Sequence, residues 1–145
     1  NGMKVPMKVD YGVRALVELA QGYGGGAVST TEIADRQHIP EAYLNQLLMI
    51  LGKVGLISSR RGPQGGYMLA KPPKEISLGM VISSLEGESG LLECISVPEC
   101  CTFSTTCAQR EVWSSVEEVV QQVLRATTIA DLVARQEQLK AVSLH

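Results

Sequence analysis

Long hydrophobic runs are missing from this chain. Of its 145 residues, 45% are apolar, yet no stretch approaches the ~20 consecutive apolar residues of a transmembrane helix. The start, NGMKVPMKVDYG, lacks the continuous apolar segment of a secretory signal. Asn1 and Gly2, ahead of Met3, read as a cloning remnant. A cytoplasmic, reducing location with no membrane partner is the expectation. Cysteine is absent before residue 94 and after residue 107, and no C-x-x-C occurs. That argues against a thiol oxidoreductase, which would carry such a pair at a helix N-terminus, and against the usual zinc pair. There is no P-loop lysine–serine signature, no G-x-G-x-x-G, and no paired nucleophile and base. An enzyme is not expected.

What is present is asymmetric. The net charge is −2, but residues 1–74 hold nine Lys/Arg against five Asp/Glu, whereas residues 75–145 hold four against ten. A basic half joined to an acidic half is expected where only the first half faces a polyanion; a chance fluctuation is the plain alternative.

Helical periodicity begins in VDYGVRALVELAQ (residues 9–21), with Val13, Leu16, Val17 and Ala20 on one face. Asp10 is placed as its N-cap, and GYGGG (22–26) stops it. Ser29 and Glu32 have capping-box spacing, with Val28 and Ile33 as a staple. They predict a short helix from Thr30 to Arg36 or Gln37. After a brief connection through His38, Pro40 suits the first turn of a third helix. There Leu44, Leu47, Leu48 and Leu51 form a buried stripe. The opposite face carries Ala42, Asn45, Gln46, Met49 and Lys53, with Tyr43 on the flank. Amides can bond base edges and a lysine can reach a phosphate, although a plain solvated face would look similar.

Two short strand-like runs, Leu56–Ser58 and Tyr67–Leu69, then bracket RRGPQGG. Arg60 and Arg61 sit at the base of this loop. Gly65 and Gly66 can supply the positive φ of a hairpin turn. Helix, short helix, turn, longer helix and arginine-bearing hairpin make a helix-turn-helix with a β-wing. The third helix suits a major groove, and the wing suits phosphates or the minor groove. A free phosphate ligand is a weaker fit. Ser77 caps a further helix with Met80, Val81 and Leu85 inward, ended by Gly87. From residue 108, Val112, Val116, Val119 and Val123 form a heptad-like seam beside Trp113, Val120 and Leu124. A helix apolar on more than one side predicts packing on a second copy. Thr128 to Asp131 starts a last helix, from Ile129 to about Lys140.

The segments DYGVRALVELA, STTEIADRQHI, YLNQLL, LISSRRGPQGGYMLA, ISLGMVISSLEG and TTIADL together resemble the Rrf family of winged-helix transcription regulators. RGPQGGYMLAKPPKEISLG is the most specific part, and the likeness spans almost the whole chain. The expected fold is mainly α with a small β-wing. It comprises a winged helix-turn-helix over 3–74, a connecting helix and cysteine-rich sensor loop over 75–107, and a dimerisation helix plus C-terminal helix over 108–145. The resemblance implies a homodimer on a roughly palindromic double-stranded DNA operator. Thr30, Ala42, Tyr43, Asn45, Gln46, Lys53, Arg60, Arg61, Gly62, Gly65 and Gly66 are expected at the DNA.

In the family's cluster-binding members, three cysteines of this loop hold an iron–sulfur cluster, commonly as C-x5-C, a short gap and a third cysteine. Cys94 with Cys100 fits one half of that pattern, and Cys101 with Cys107 the other. The resemblance thus implies Cys94, Cys101 and Cys107 as ligands, with Cys100 as the alternative to Cys101, because two neighbours rarely reach one iron. Thiolates suit iron–sulfur clusters, of either 2Fe-2S or 4Fe-4S type. Some members place a histidine three residues after the last cysteine; here that position is Arg110. Others use an aspartate near the start of the first helix, given by the partner subunit, and Asp10 matches it. The chain is therefore expected to sense redox state, nitric oxide or iron–sulfur status. Sensing by thiol oxidation or through a partner protein stays open, as do cysteines that are only small buried apolar residues.

Overall fold

The structure, a computed structural model, describes residues 5–87 and 108–143. All four cysteines therefore lie outside the described residues. Six α-helices and one two-stranded sheet are seen among the described residues.

Helix α1 (Met7–Gln21) begins earlier than its apolar pattern suggests. Pro6 takes the cap position, and its carbonyl accepts from the Val9 and Asp10 amides, both at 3.0 Å. Asp10 is thus not the N-cap but a first-turn residue. There a carboxylate favours the positive helix end and pairs with Arg14 four residues on, at 3.0 Å. Gly12 is buried because the later helix Leu78–Glu86 crosses close: a Cβ there would meet Leu85 Cδ1 at 2.6 Å.

Helix α2 (Thr30–Gln37) is capped by Ser29, whose Oγ accepts from the Glu32 amide at 3.1 Å. Glu32 does not return the bond; its carboxylate takes Arg36 at 2.6 Å. His38 ends α2 in the left-handed region, at φ 55°, and Ile39 is buried beyond it. Pro40 stands just outside α3 (Glu41–Lys53), with its carbonyl accepting from Leu44 at 2.9 Å. The Leu44, Leu47, Leu48 and Leu51 stripe is buried as its spacing predicts.

Strands β1 (Ile57–Arg60) and β2 (Gly66–Leu69) pair antiparallel, with Ile57 opposite Leu69 and Arg60 opposite Gly66. Val28 adds a rung on the other edge of β2: its amide donates to the Tyr67 carbonyl and its carbonyl accepts from the Tyr67 amide, both at 2.8 Å. The hairpin is thereby tied to the entrance of α2. Gly66, at φ 149°, lies against this rung, and any Cβ there would collide with the Val28 carbonyl. Positive φ occurs at Gly62 and Gly66, not at Gly65 as the turn chemistry suggested. Gly65 is needed for another reason, since a Cβ would run into the Arg60 carbonyl. Gly66→Ala is expected to destabilise the fold by roughly 2–4 kcal/mol, from backbone strain plus overpacking. The urea midpoint measures it, and an unshifted midpoint would contradict the rung.

A 3-10 turn (Pro73–Glu75) leads into α4 (Leu78–Glu86), where the Ser77 hydroxyl accepts from the Met80 amide at 3.2 Å and Gly87 closes at φ 80°. Helix α5 (Ala108–Ala126) packs against α4, and α6 (Ile129–Ser143) against α1. Thr128 and Asp131 cap α6 reciprocally, at 2.9 and 3.1 Å. Paired backbone bonds join the two starts: Ile129 N to Ile76 O at 2.8 Å, and Leu78 N to Thr127 O at 2.9 Å. The core runs through Leu16, Ile33, Leu44, Leu48, Leu51, Ile76, Val81 and Ile129. Each such side chain contributes about 1.5–3 kcal/mol by leaving water. No helix of the described residues is long and apolar enough to cross a membrane.

Candidate nucleic-acid interface

Burial of the leucine stripe fixes the roll of α3 about its own axis. The remaining face, with Ala42, Asn45, Gln46, Met49 and Lys53, is exposed. One acid borders it: Glu41, whose Oε1 accepts from the Thr31 hydroxyl at 2.9 Å. That bond pins the start of α3 to the first turn of α2. Tyr43 is half-buried and set edge-on to Tyr11, with ring centres 5.9 Å apart. Arg14 covers the Tyr11 ring at 5.5 Å and donates to the Gln37 carbonyl at 3.3 Å. Glu18 accepts from Gln37 Nε2 at 2.6 Å. The α2–turn–α3 unit is thus held to α1 by polar bonds as well as by the core, which keeps its outer face in one orientation.

The wing contributes the cations. Arg60 ends β1, Arg61 opens the loop, and both are exposed, as are Gly62, Pro63 and Gln64. No ion pair among the described residues holds either arginine. Gly65 and Gly66 are half-buried where the loop returns onto the Val28 rung, and Thr30 is half-buried in the first turn of α2. A cleft of about 560 Å³ between α3 and the hairpin is lined by Met49 and Lys53 on one side and Ser58, Ser59 and Tyr67 on the other. The α3 face and the hairpin therefore share one groove. Ser58 and Ser59, both exposed, are not among the residues the sequence pattern picks out, although two hydroxyls leading into Arg60 are a usable signal. Guanidinium, ammonium and hydroxyl donors suit phosphate oxygens, while amides suit base edges.

For the candidate metal ligands, only Asp10 is described. Its Oδ1 and Oδ2 accept from Arg14 Nε and Nη2 at 3.2 and 3.0 Å. A metal ligated there would share those oxygens with the guanidinium, through the lone pairs that Arg14 leaves free. Lys8 pairs with Glu86 at 3.6 Å, so the first turn of α1 lies beside the end of α4. The cysteine segment follows α4 directly in sequence. No group of three His, Cys, Asp or Glu converges among the described residues.

The relationship to other proteins agrees with this geometry. Residues 5–135 match the Rrf2 family, described as iron-dependent transcriptional regulators. The transcriptional regulator CymR of Bacillus subtilis is 36% identical over 132 residues, spanning 91% of each chain. The structure of CymR, the global cysteine regulator of that organism, superposes with a TM-score of 0.80 over 92% of this chain and 98% of that one. IscR of T. potens is 39% identical, with a TM-score of 0.80 over 95% of this chain and 91% of that one. By family match, sequence identity and winged-helix architecture, the chain belongs to the Rrf2 family of DNA-binding transcriptional regulators.

Proposed function

We propose that this regulator works as a homodimer on a roughly palindromic operator and switches through an iron–sulfur cluster held by its cysteine segment. The exposed face of α3, beside an arginine-bearing wing, carries the DNA part. In each subunit Ala42, Asn45, Gln46 and Tyr43 meet the major groove. Lys53, Arg60 and Arg61 neutralise phosphates, the Thr30 hydroxyl donates to one, and Gly62 lets backbone approach closely while Gly65 and Gly66 hold the loop in shape. Two copies joined through α5 present two recognition helices about 34–36 Å apart, one turn of duplex. The 3–74, 75–107 and 108–145 divisions then act as reader, sensor and coupler.

The donor chemistry supports the sensor. Four thiols fall between residues 94 and 107, and soft thiolates suit iron–sulfur clusters. Cys94, Cys101 (or its neighbour Cys100) and Cys107 would hold the group, with Asp10 of the partner subunit completing the set. When bound, it would supply reactivity toward oxygen and nitric oxide. Asp10 is a hard ligand already shared with Arg14, so it would be readily displaced, which suits a sensor. The first turn of α1, where Asp10 stands, is bonded to the end of α4 and also shares its helix with the α2–α3 support. A change at Asp10 would thereby reach the reading heads, provided the two states differ in affinity for DNA.

A second reading keeps the DNA grip and assigns sensing to thiol oxidation, or to a partner protein, without a cluster. Cys100 and Cys101 together give one thiol more than the three a cluster would use, and CymR of Staphylococcus aureus has been crystallised in an oxidized form. Anaerobic purification with iron and sulfide counting separates the two. Iron and sulfide are expected in the unaltered protein and absent from Cys107→Ser, with operator affinity changing by at least about ten-fold on exposure to nitric oxide, a coupling of about 1.4 kcal/mol. A metal-free protein whose affinity follows its thiol titre would select the second reading.

A further inference from the structure

At about 100° per residue, the outward residues of α3 fan around the helix from Asn45, with Met49 about 40°, Ala42 about 60°, Lys53 about 80° and Gln46 about 100° further round. Met49 therefore stands near the midline of the face, between the two amides. It is 57% exposed and is the one large apolar side chain among the exposed residues of α3. It takes no part in the hydrophobic core. Its neighbours across the cleft are Ser58, Ser59 and the aromatic Tyr67. Folding thus gives no reason for a methionine at the centre of a polar recognition face.

The charge around it selects the occupant. Lys53, Arg60 and Arg61 flank the groove, and the bordering acid, Glu41, is engaged by Thr31. A polyanion with an apolar feature at its centre fits this arrangement. The C5-methyl of thymine is the one apolar group that duplex DNA offers on its major-groove base edges. An unbranched, polarizable thioether adapts to such a target without a fixed rotamer.

We infer that Met49 is a specificity residue that reads a thymine methyl, between base pairs addressed by Asn45 and Gln46. The inference rests on α3 lying in the major groove, as proposed above, and adds what the middle of the recognised site must contain. It also gives the hydroxyls of Ser58 and Ser59 a place, as donors to the phosphates beside that thymine.

The test uses the full chain. Binding sites are first enriched from a random-sequence duplex pool. The thymines of the selected site are then replaced one at a time by deoxyuridine, which removes only the methyl group. At one position in each half-site the unaltered protein is expected to lose about four-fold in affinity, the worth of one buried methyl. Met49→Ala should lose a similar factor on the thymine duplex and be indifferent to uracil at that position. Uracil neutral at every position, or Met49→Ala still sensitive to it, overturns the inference while leaving the DNA grip intact. A pool that yields no enrichment overturns the grip, and the inference with it.

Discussion

Replacing Val112, Val119 and Val123 together by aspartate is expected to yield a folded monomer whose operator affinity is about 10²- to 10⁴-fold lower, the avidity lost when two linked sites become one. The three valines lie along one side of α5 and are 59%, 58% and 57% exposed. No residue of this 19-residue helix is fully buried in the single chain. Val116, Val120 and Leu124, on the adjacent side of the helix, are half-buried. Exposed apolar patches of this kind mark association sites, and a heptad-like seam suits a second helix of the same sequence. None of the substituted positions belongs to the core around Leu16, Ile33 and Leu48, so the monomer keeps its reading head. Sedimentation gives the oligomeric state, and fluorescence anisotropy with labelled duplex gives the affinity. A variant that still sediments as a dimer would show that another surface joins the subunits.

Arg60→Ala with Arg61→Ala should weaken binding to unrelated duplexes and to operator alike, by about ten-fold or more at moderate salt. The dependence of log affinity on log salt concentration should flatten by about two per subunit, because each neutralised phosphate contributes about 0.9 to that slope. Both side chains are exposed and neither is held in an ion pair among the described residues. Fold stability is therefore expected to change little. This outcome differs from that of Met49→Ala, which should alter preference at one base and leave the salt slope unchanged. An unaltered slope in the double arginine variant would remove the wing from the DNA surface.

Several of these features were legible because they are local. The leucine stripe of α3 repeats every three to four residues, so its burial and the exposure of Asn45 and Gln46 follow from helical geometry alone. Ser29, Ser77 and Thr128 cap helices because a short hydroxyl side chain reaches an amide two or three residues on. The short runs around RRGPQGG become β1 and β2 with arginines at the turn, since glycine and proline punctuate the chain there.

What required the tertiary structure is whatever joins residues distant in sequence. Asp10 has the chemistry of a cap, yet Pro6 starts α1 and Arg14 takes the carboxylate. Which glycine of the wing needs a positive φ was decided by Val28, far upstream, whose rung with Tyr67 presses on Gly66. The bond from Thr31 to Glu41, and the backbone pairing of Ile76 with Ile129, have no periodic trace in the chain. Periodicity and capping are properties of neighbours along the backbone, and the sequence by itself determined them. The close approach of one segment to another depends on how the whole core packs, so only the folded chain decided the wing's anchorage and the setting of its reading head.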